Sequence, residues 1–127
     1  MPITPVMNNW HRYVRNPDSN ILDTILGEQV VFHSPVVHTP QTGKKLTKSY
    51  LVAASKCLFN DTFNYKNEIY GDFSASLEFV VIIEGIHING VDLIGWNANQ
   101  EITSFKVMIR PLKAVNLVRE LMTHQLT

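Results

Sequence analysis

Apolar residues along this chain fall first at helical spacing, then at the two-residue spacing of strands, and at helical spacing again near the end. Thr4 before Pro5 is a pairing that caps a helix and fills its first position. Val6, Trp10, Tyr13 and Val14 then make one apolar stripe. Pro17-Asp18 interrupts the pattern, and a short second helix follows with Ile21, Leu22, Ile25 and Leu26 on its buried side and Gly27 as its C-cap. Gln29 to Ser34 reads as a strand that Pro35 ends. Val36 to Leu46, holding Pro40 and Gly43, reads as an irregular loop. Thr47 is expected to cap a third helix, in which Leu51, Ala54 and Leu58 share a face beside Tyr50 and Cys57.

Four strands are expected next, at Thr62 to Tyr70, Ala75 to Glu84, Ile88 to Asn97 and Ile102 to Arg110. Glu84-Gly85-Ile86-His87 joins the middle pair, and Asn97-Ala98-Asn99-Gln100 turns into the last strand. Pro111 stops that strand and opens a final helix with Ala114, Val115, Val118, Leu121 and Met122 on one side. Segregated helices and strands predict an α+β fold, an antiparallel sheet with helices on one face. Leu77 to Ile83 is apolar at nearly every position, the pattern of a strand buried on both faces. With helices on one face, a second copy is the simplest cover for the other, so a homodimer through the sheet face is expected.

Length and charge narrow the picture. The 127 residues suit a single domain spanning 1–127. Eleven basic side chains balance eleven acidic ones, which argues against a nucleic-acid partner or an anionic membrane surface. Cys57 is the only cysteine, so neither an internal disulfide nor a cysteine-rich metal site is expected. The opening Met1-Pro2-Ile3-Thr4-Pro5 lacks the basic-then-apolar pattern of a secretion signal, and the apolar run Phe79 to Ile83 is too short to cross a bilayer. A cytoplasmic protein is the expectation.

The helix with Trp10 and Tyr13, the segment Val30-Val31-Phe32-His33-Ser34-Pro35-Val36, the segment Gly90-Val91-Asp92-Leu93-Ile94 and the segment Val107-Met108-Ile109-Arg110-Pro111 together carry a resemblance over nearly the whole chain. They resemble the SnoaL-like branch of the nuclear transport factor 2-like superfamily, which includes ketosteroid isomerase, scytalone dehydratase, polyketide cyclases and limonene epoxide hydrolase. The resemblance implies a cone whose curved sheet wraps a cavity closed by helices. Against ketosteroid isomerase, Ser34 stands where that enzyme has its carboxylate base, and Trp10 falls at about the place of its tyrosine donor. Asp92 matches its protonated aspartic acid. With the base missing, the same steroid isomerisation is not expected; fold alone does not name a reaction.

Asp92 is the most informative residue. Its strand neighbours are nearly all apolar, so its pKa should be raised unless a partner holds the charged form. It reads either as a proton donor in the cavity or as a carboxylate satisfied by backbone N–H groups or a histidine. Glu78 poses the same question one strand away. A three-residue hairpin turn would pair it with Asp92; two or four residues would turn the two to opposite faces. His33 and Ser34 are adjacent in a strand and so point apart, which opposes a catalytic triad with Asp92. The histidines show no metal-ligand spacing, and no metal or cofactor is expected. Lys44, Lys45 and Lys48 read as a solvated patch, and Asn60-Asp61-Thr62 as a glycosylation acceptor without a secretion signal.

Alternation places Asp92, Ile94 and Trp96 on one strand face, and the family comparison turns Phe105, Val107 and Ile109 toward the same cavity. With Trp10, Phe32 and Ser34, these are the expected ligand-binding residues, and Leu93, Met108 and Arg110 would face the partner copy. Three readings follow. One is a dimeric cone with an apolar cavity binding a small hydrophobic molecule such as a ketone or polycycle, with catalysis left open. The second is an acid–base enzyme of isomerase, dehydratase or polyketide cyclase type using Asp92. The third is a non-catalytic dimeric scaffold with a filled core. A pocket of roughly 300 Å³ or more containing Asp92 favours the first two.

Overall fold

The computed structural model describes residues 4–126. Met1 to Ile3, part of the stretch read for a secretion signal, lie outside them. Helix α1 (Pro5–Arg15) starts at the expected place, with Pro5 in its first turn after Thr4, but the Thr4 hydroxyl makes no capping hydrogen bond; the helix buries Val6, Met7, Trp10 and Tyr13. Helix α2 (Ser19–Ile25) is capped by Asp18, whose carboxylate accepts from the Asn20 N–H at 3.0 Å. Gly27 is not a C-cap. The chain passes straight from α2 into strand β1 (Leu26–His33), where Gly27 lies against the Ile102 backbone, too close for a larger residue to fit freely.

The segment expected as loop contains a two-residue strand, β2 (Gln41–Thr42), and the start of helix α3 (Lys44–Leu58). Gly43, at φ 107°, is the residue before that helix, a conformation that suits glycine. Thr47 is thus an interior position rather than a cap, and it is fully buried. Strands β3 (Asn64–Tyr70), β4 (Ser74–Ile83), β5 (Ile86–Trp96) and β6 (Ile102–Arg110) follow, then helix α4 (Leu112–Leu126).

The six strands form one curved, unclosed sheet in the order β2-β1-β6-β5-β4-β3. It is mixed rather than wholly antiparallel, because β1 joins β6 in parallel. The β4–β5 turn has two residues, Glu84 and Gly85, both at positive φ (51° and 77°), the two-residue case among the lengths the sequence left open. Two positive φ values give the turn whose twist matches the strands it joins. Its register pairs Leu77 with Asp92 and Glu78 with Val91, so the two carboxyl groups lie on opposite faces.

Burial alternates along β4 and β5 with the period of a pleated strand. The inner face carries Leu77, Phe79, Val81, Ile88, Ile94 and Trp96, all buried beneath helices. The outer face carries Val80, Val91 and Leu93 half-buried, with Ile82 and Met108 exposed. Apolar residues at nearly every position therefore do not mean burial on both sides within one chain. No helix among the described residues is long and apolar enough to cross a membrane.

Candidate functional site

Asp92 sits mid-way along β5 on the inner face, between Leu77 of β4 and Val107 of β6, and is 5% exposed. The Tyr65 hydroxyl donates to its Oδ2 at 2.6 Å, and the Trp10 Nε1–H donates to the Tyr65 oxygen at 3.0 Å. The direction of this chain is set by chemistry, since an indole N–H can only donate. The Tyr65 proton is then committed to Oδ2, and the proton of a neutral Asp92 belongs on Oδ1. Burial pushes the Asp92 carboxyl up to about 7, against the opposing pull of the Tyr65 hydrogen bond. Burial, and next to it the Asp92 charge, drives the Tyr65 hydroxyl well above the ordinary phenol range. A carboxyl group in this setting exchanges its proton near neutral pH.

Beside this chain lies a second polar cluster. His11 Nε2 is 2.7 Å from the Tyr70 hydroxyl and 2.9 Å from Glu68 Oε1, and Tyr70 donates to the same Glu68 oxygen at 2.6 Å. Burial lowers the His11 pKa, Glu68 opposes that shift and Arg15 adds to it. The His11 ring meets the edge of Tyr65 at 5.6 Å. Both clusters join α1 to β3.

The expected ligand-binding residues divide into two groups. Trp10, Phe32, Ile94, Trp96 and Phe105 are buried in the core around Asp92, with the Trp10 and Phe105 rings 4.9 Å apart. Ser34 is a turn residue whose Oγ accepts from the Val36 N–H at 3.1 Å. It lies with Val107 and Ile109 around a hollow of about 540 Å³ at the rim of the sheet. That hollow and four others of about 340 to 500 Å³ have no Asp92 in their walls. Val107 is the link, because it is both the cross-strand partner of Asp92 and a wall of the rim hollow.

Glu78 points outward, where Asn67 and Asn89 donate to it at 2.7 and 2.9 Å. Those hydrogen bonds hold its carboxyl below the usual range. Three buried atoms, Thr4 Oγ1, Thr47 Oγ1 and Trp96 Nε1, find no hydrogen-bond partner among the described residues. Lys48 pairs with Asp23 at 2.8 Å at the surface.

Sequence reasoning did not single out Tyr65, Glu68 or Tyr70. A β-bulge at Lys66 hides them: Tyr65 opposes Phe79, Asn67 opposes Glu78, and Glu68 and Tyr70 return to the inner face. Strict alternation would have sent Glu68 and Tyr70 to the face opposite Tyr65.

No protein-family model and no curated protein sequence matches this chain. Solved structures do. A steroid delta-isomerase from Pseudomonas aeruginosa is 26% identical with a TM-score of 0.91, covering 99% of this chain and 95% of its own. An uncharacterized bacterial protein with a cystatin-like fold from Silicibacter pomeroyi DSS-3 is 26% identical with a TM-score of 0.87, over 95% of this chain and 84% of its own. A protein with a ketosteroid isomerase-like fold from Catenulispora acidiphila DSM 44928, in complex with trimethylamine, is 15% identical with a TM-score of 0.66, over 90% of this chain and 91% of its own. The architecture and these neighbours agree on the fold: the chain has the α+β cone of cystatin-like and ketosteroid isomerase-like proteins, consistent with the nuclear transport factor 2-like superfamily that the sequence resembles.

Proposed function

We propose that the protein binds a small, largely apolar molecule carrying one hydrogen-bond acceptor, such as a ketone, with Asp92 as the buried donor. The observation that carries this reading is the carboxyl itself: enclosed, with a pKa of about 7, and hydrogen-bonded by Tyr65 at Oδ2. A neutral acid whose proton belongs on Oδ1 suits an acceptor in an apolar site, where a single well-placed donor fixes orientation. The similarity to a steroid delta-isomerase supports the same placement. On this reading a ligand enters from the rim hollow past Val107, which lines that hollow and is the cross-strand partner of Asp92. Ser34 supplies no carboxylate base, so binding rather than proton abstraction is the activity assigned.

The test is isothermal titration of apolar ketones and polycyclic phenols into wild type and Asp92→Leu, which removes the donor at similar volume, at pH 6. At least one compound class is expected to bind wild type and to lose about ten-fold on substitution, the size of one hydrogen bond to a buried donor. Affinity should also fall above pH 7 as the donor proton leaves. A panel that fails to bind wild type, or binds both forms equally, overturns the reading. In parallel, Tyr65→Phe should raise the Asp92 pKa further, because the hydrogen bond that favours the ionised form is gone. Carboxyl NMR titration reads that shift.

A second reading is favoured by the packing. Asp92 borders none of the five hollows, and aromatic side chains fill the space beneath α1. On this reading the core is solid and the outer face pairs two copies through Leu93 and Met108. Light scattering then gives twice the 14.5 kDa chain mass, and Met108→Lys returns it to one. A wild-type monomer at micromolar concentration removes this alternative.

A further inference from the structure

Strand β1 stops pairing with β6 at His33 opposite Lys106, and the chain leaves through Ser34-Pro35. It arcs back so that Gln41 pairs again with Phe32. The arc leaves the β1-side edge of β6 unpaired from Val107 onward, and the space between is the rim hollow of about 540 Å³. That volume falls in the range of small-molecule sites.

The lining of this hollow has a one-sided chemistry. Val37, Val107, Met108 and Ile109 make an apolar wall. The polar remainder includes His33, His38 and Lys106, with no aspartate or glutamate. None of these three side chains has a hydrogen-bond or ion-pair partner among the described residues. By contrast, Lys44 and Lys48 are each held near an acid, Lys44 at 3.7 Å from Glu28 and Lys48 at 2.8 Å from Asp23. In a chain with eleven acids for eleven bases, an acid-free hollow with a free ammonium is a local bias toward an anion.

We infer that the rim hollow binds an organic monocarboxylate with an apolar body of several carbons. The carboxylate meets the Lys106 ammonium and an imidazole N–H of His33 or His38, and the body lies on Val37, Val107 and Met108. About half of the wall is apolar and the cationic side chains make up much of the rest, a division that suits an amphiphilic anion better than an inorganic one. Phosphate would want a cradle of backbone N–H groups, and no glycine and no helix residue lines the hollow. The inference uses the hollow that the proposed function takes as its entrance, and its test reads separately from that of Asp92.

The experiment titrates octanoate and octanol into the full chain at low salt, by calorimetry and by ¹⁵N chemical-shift mapping. Octanoate is expected to bind at least about ten-fold more tightly than octanol, with shifts at Val37, Val107 and Met108. The double variant K106M/H38A should bring octanoate down to the affinity of octanol. Equal binding of the two probes, no octanoate binding at millimolar concentration, shifts that map elsewhere, or an unchanged affinity in the double variant each overturns the inference. Failure of the ketone panel with octanoate still bound overturns only the reading of Asp92.

Discussion

Two carboxyl groups one strand apart show how differently the faces of this sheet treat a charge. Glu78 lies between Leu77 and Phe79, and Asp92 between Val91 and Leu93, so their sequence surroundings are nearly alike. On the inner face Asp92 is enclosed beneath helices, with Tyr65 as its hydrogen-bond donor, and its pKa rises to about 7. On the outer face Glu78 accepts from two side-chain N–H groups, and its pKa falls. Local sequence does not distinguish them. A two-residue turn at Glu84-Gly85 does, because it decides which residues share a face.

The largest way to test this contrast is through pH. The folded carboxyl of Asp92 has a pKa of about 7 against an ordinary value of 3.8, so the folded state binds a proton that the unfolded chain releases. Its stabilising contribution is complete below about pH 4 and is lost as pH rises through about 7. Linkage puts the loss at about 4 kcal/mol across that window. Urea denaturation of wild type and Asp92→Asn at pH 4.5, 6 and 8 should show wild type losing stability relative to the variant as pH rises. Parallel pH profiles would mean the carboxyl is not enclosed as the inner face requires.

The inner face is also where small changes in volume are felt. Gly90, two residues before Asp92 on the same face, has no room for a side chain. A Cβ there would overlap Phe79 Cζ and approach Ile109 Cγ2 and the Met108 carbonyl oxygen to 2.8 Å. Gly90→Ala should destabilise the protein by about 1–3 kcal/mol, the usual range for overpacking a filled core. Thermal and urea denaturation measure it. An unchanged stability would show slack in the inner face, and with it room for a ligand that the packing does not display.

How far the chain's own pattern reveals this arrangement depends on the element. Trp10, Tyr13 and Met122 are legible as core because helical spacing survives into the fold, and Asp92 with Ile94 and Trp96 because β5 is unbroken. Tyr65, Glu68 and Tyr70 are not legible, since the bulge at Lys66 shifts the alternation within β3. The parallel pairing of β1 with β6 is equally hidden. It joins segments more than seventy residues apart, and nothing in either strand records a direction. Thr47 misleads for another reason: a threonine before an apolar run looks like a cap, while Gly43 already occupies the helix entrance with a positive φ.

The smallest expected effect lies at Glu78, and its smallness is informative. Glu78→Gln keeps an oxygen that can accept from Asn67 or Asn89 and removes a charge that water already solvates, so denaturation at pH 7 should show no measurable change in stability. If the outer face is instead buried against a second copy, the same substitution sits inside an interface. Glu78 borders a hollow with Val91, Met108 and Arg110, and a change there would shift the monomer–dimer balance. Comparing Glu78→Gln at low and high protein concentration therefore separates an outer face that meets solvent from one that meets its own copy. A concentration-independent null result leaves Glu78 a solvated charge and the asymmetry between the faces intact.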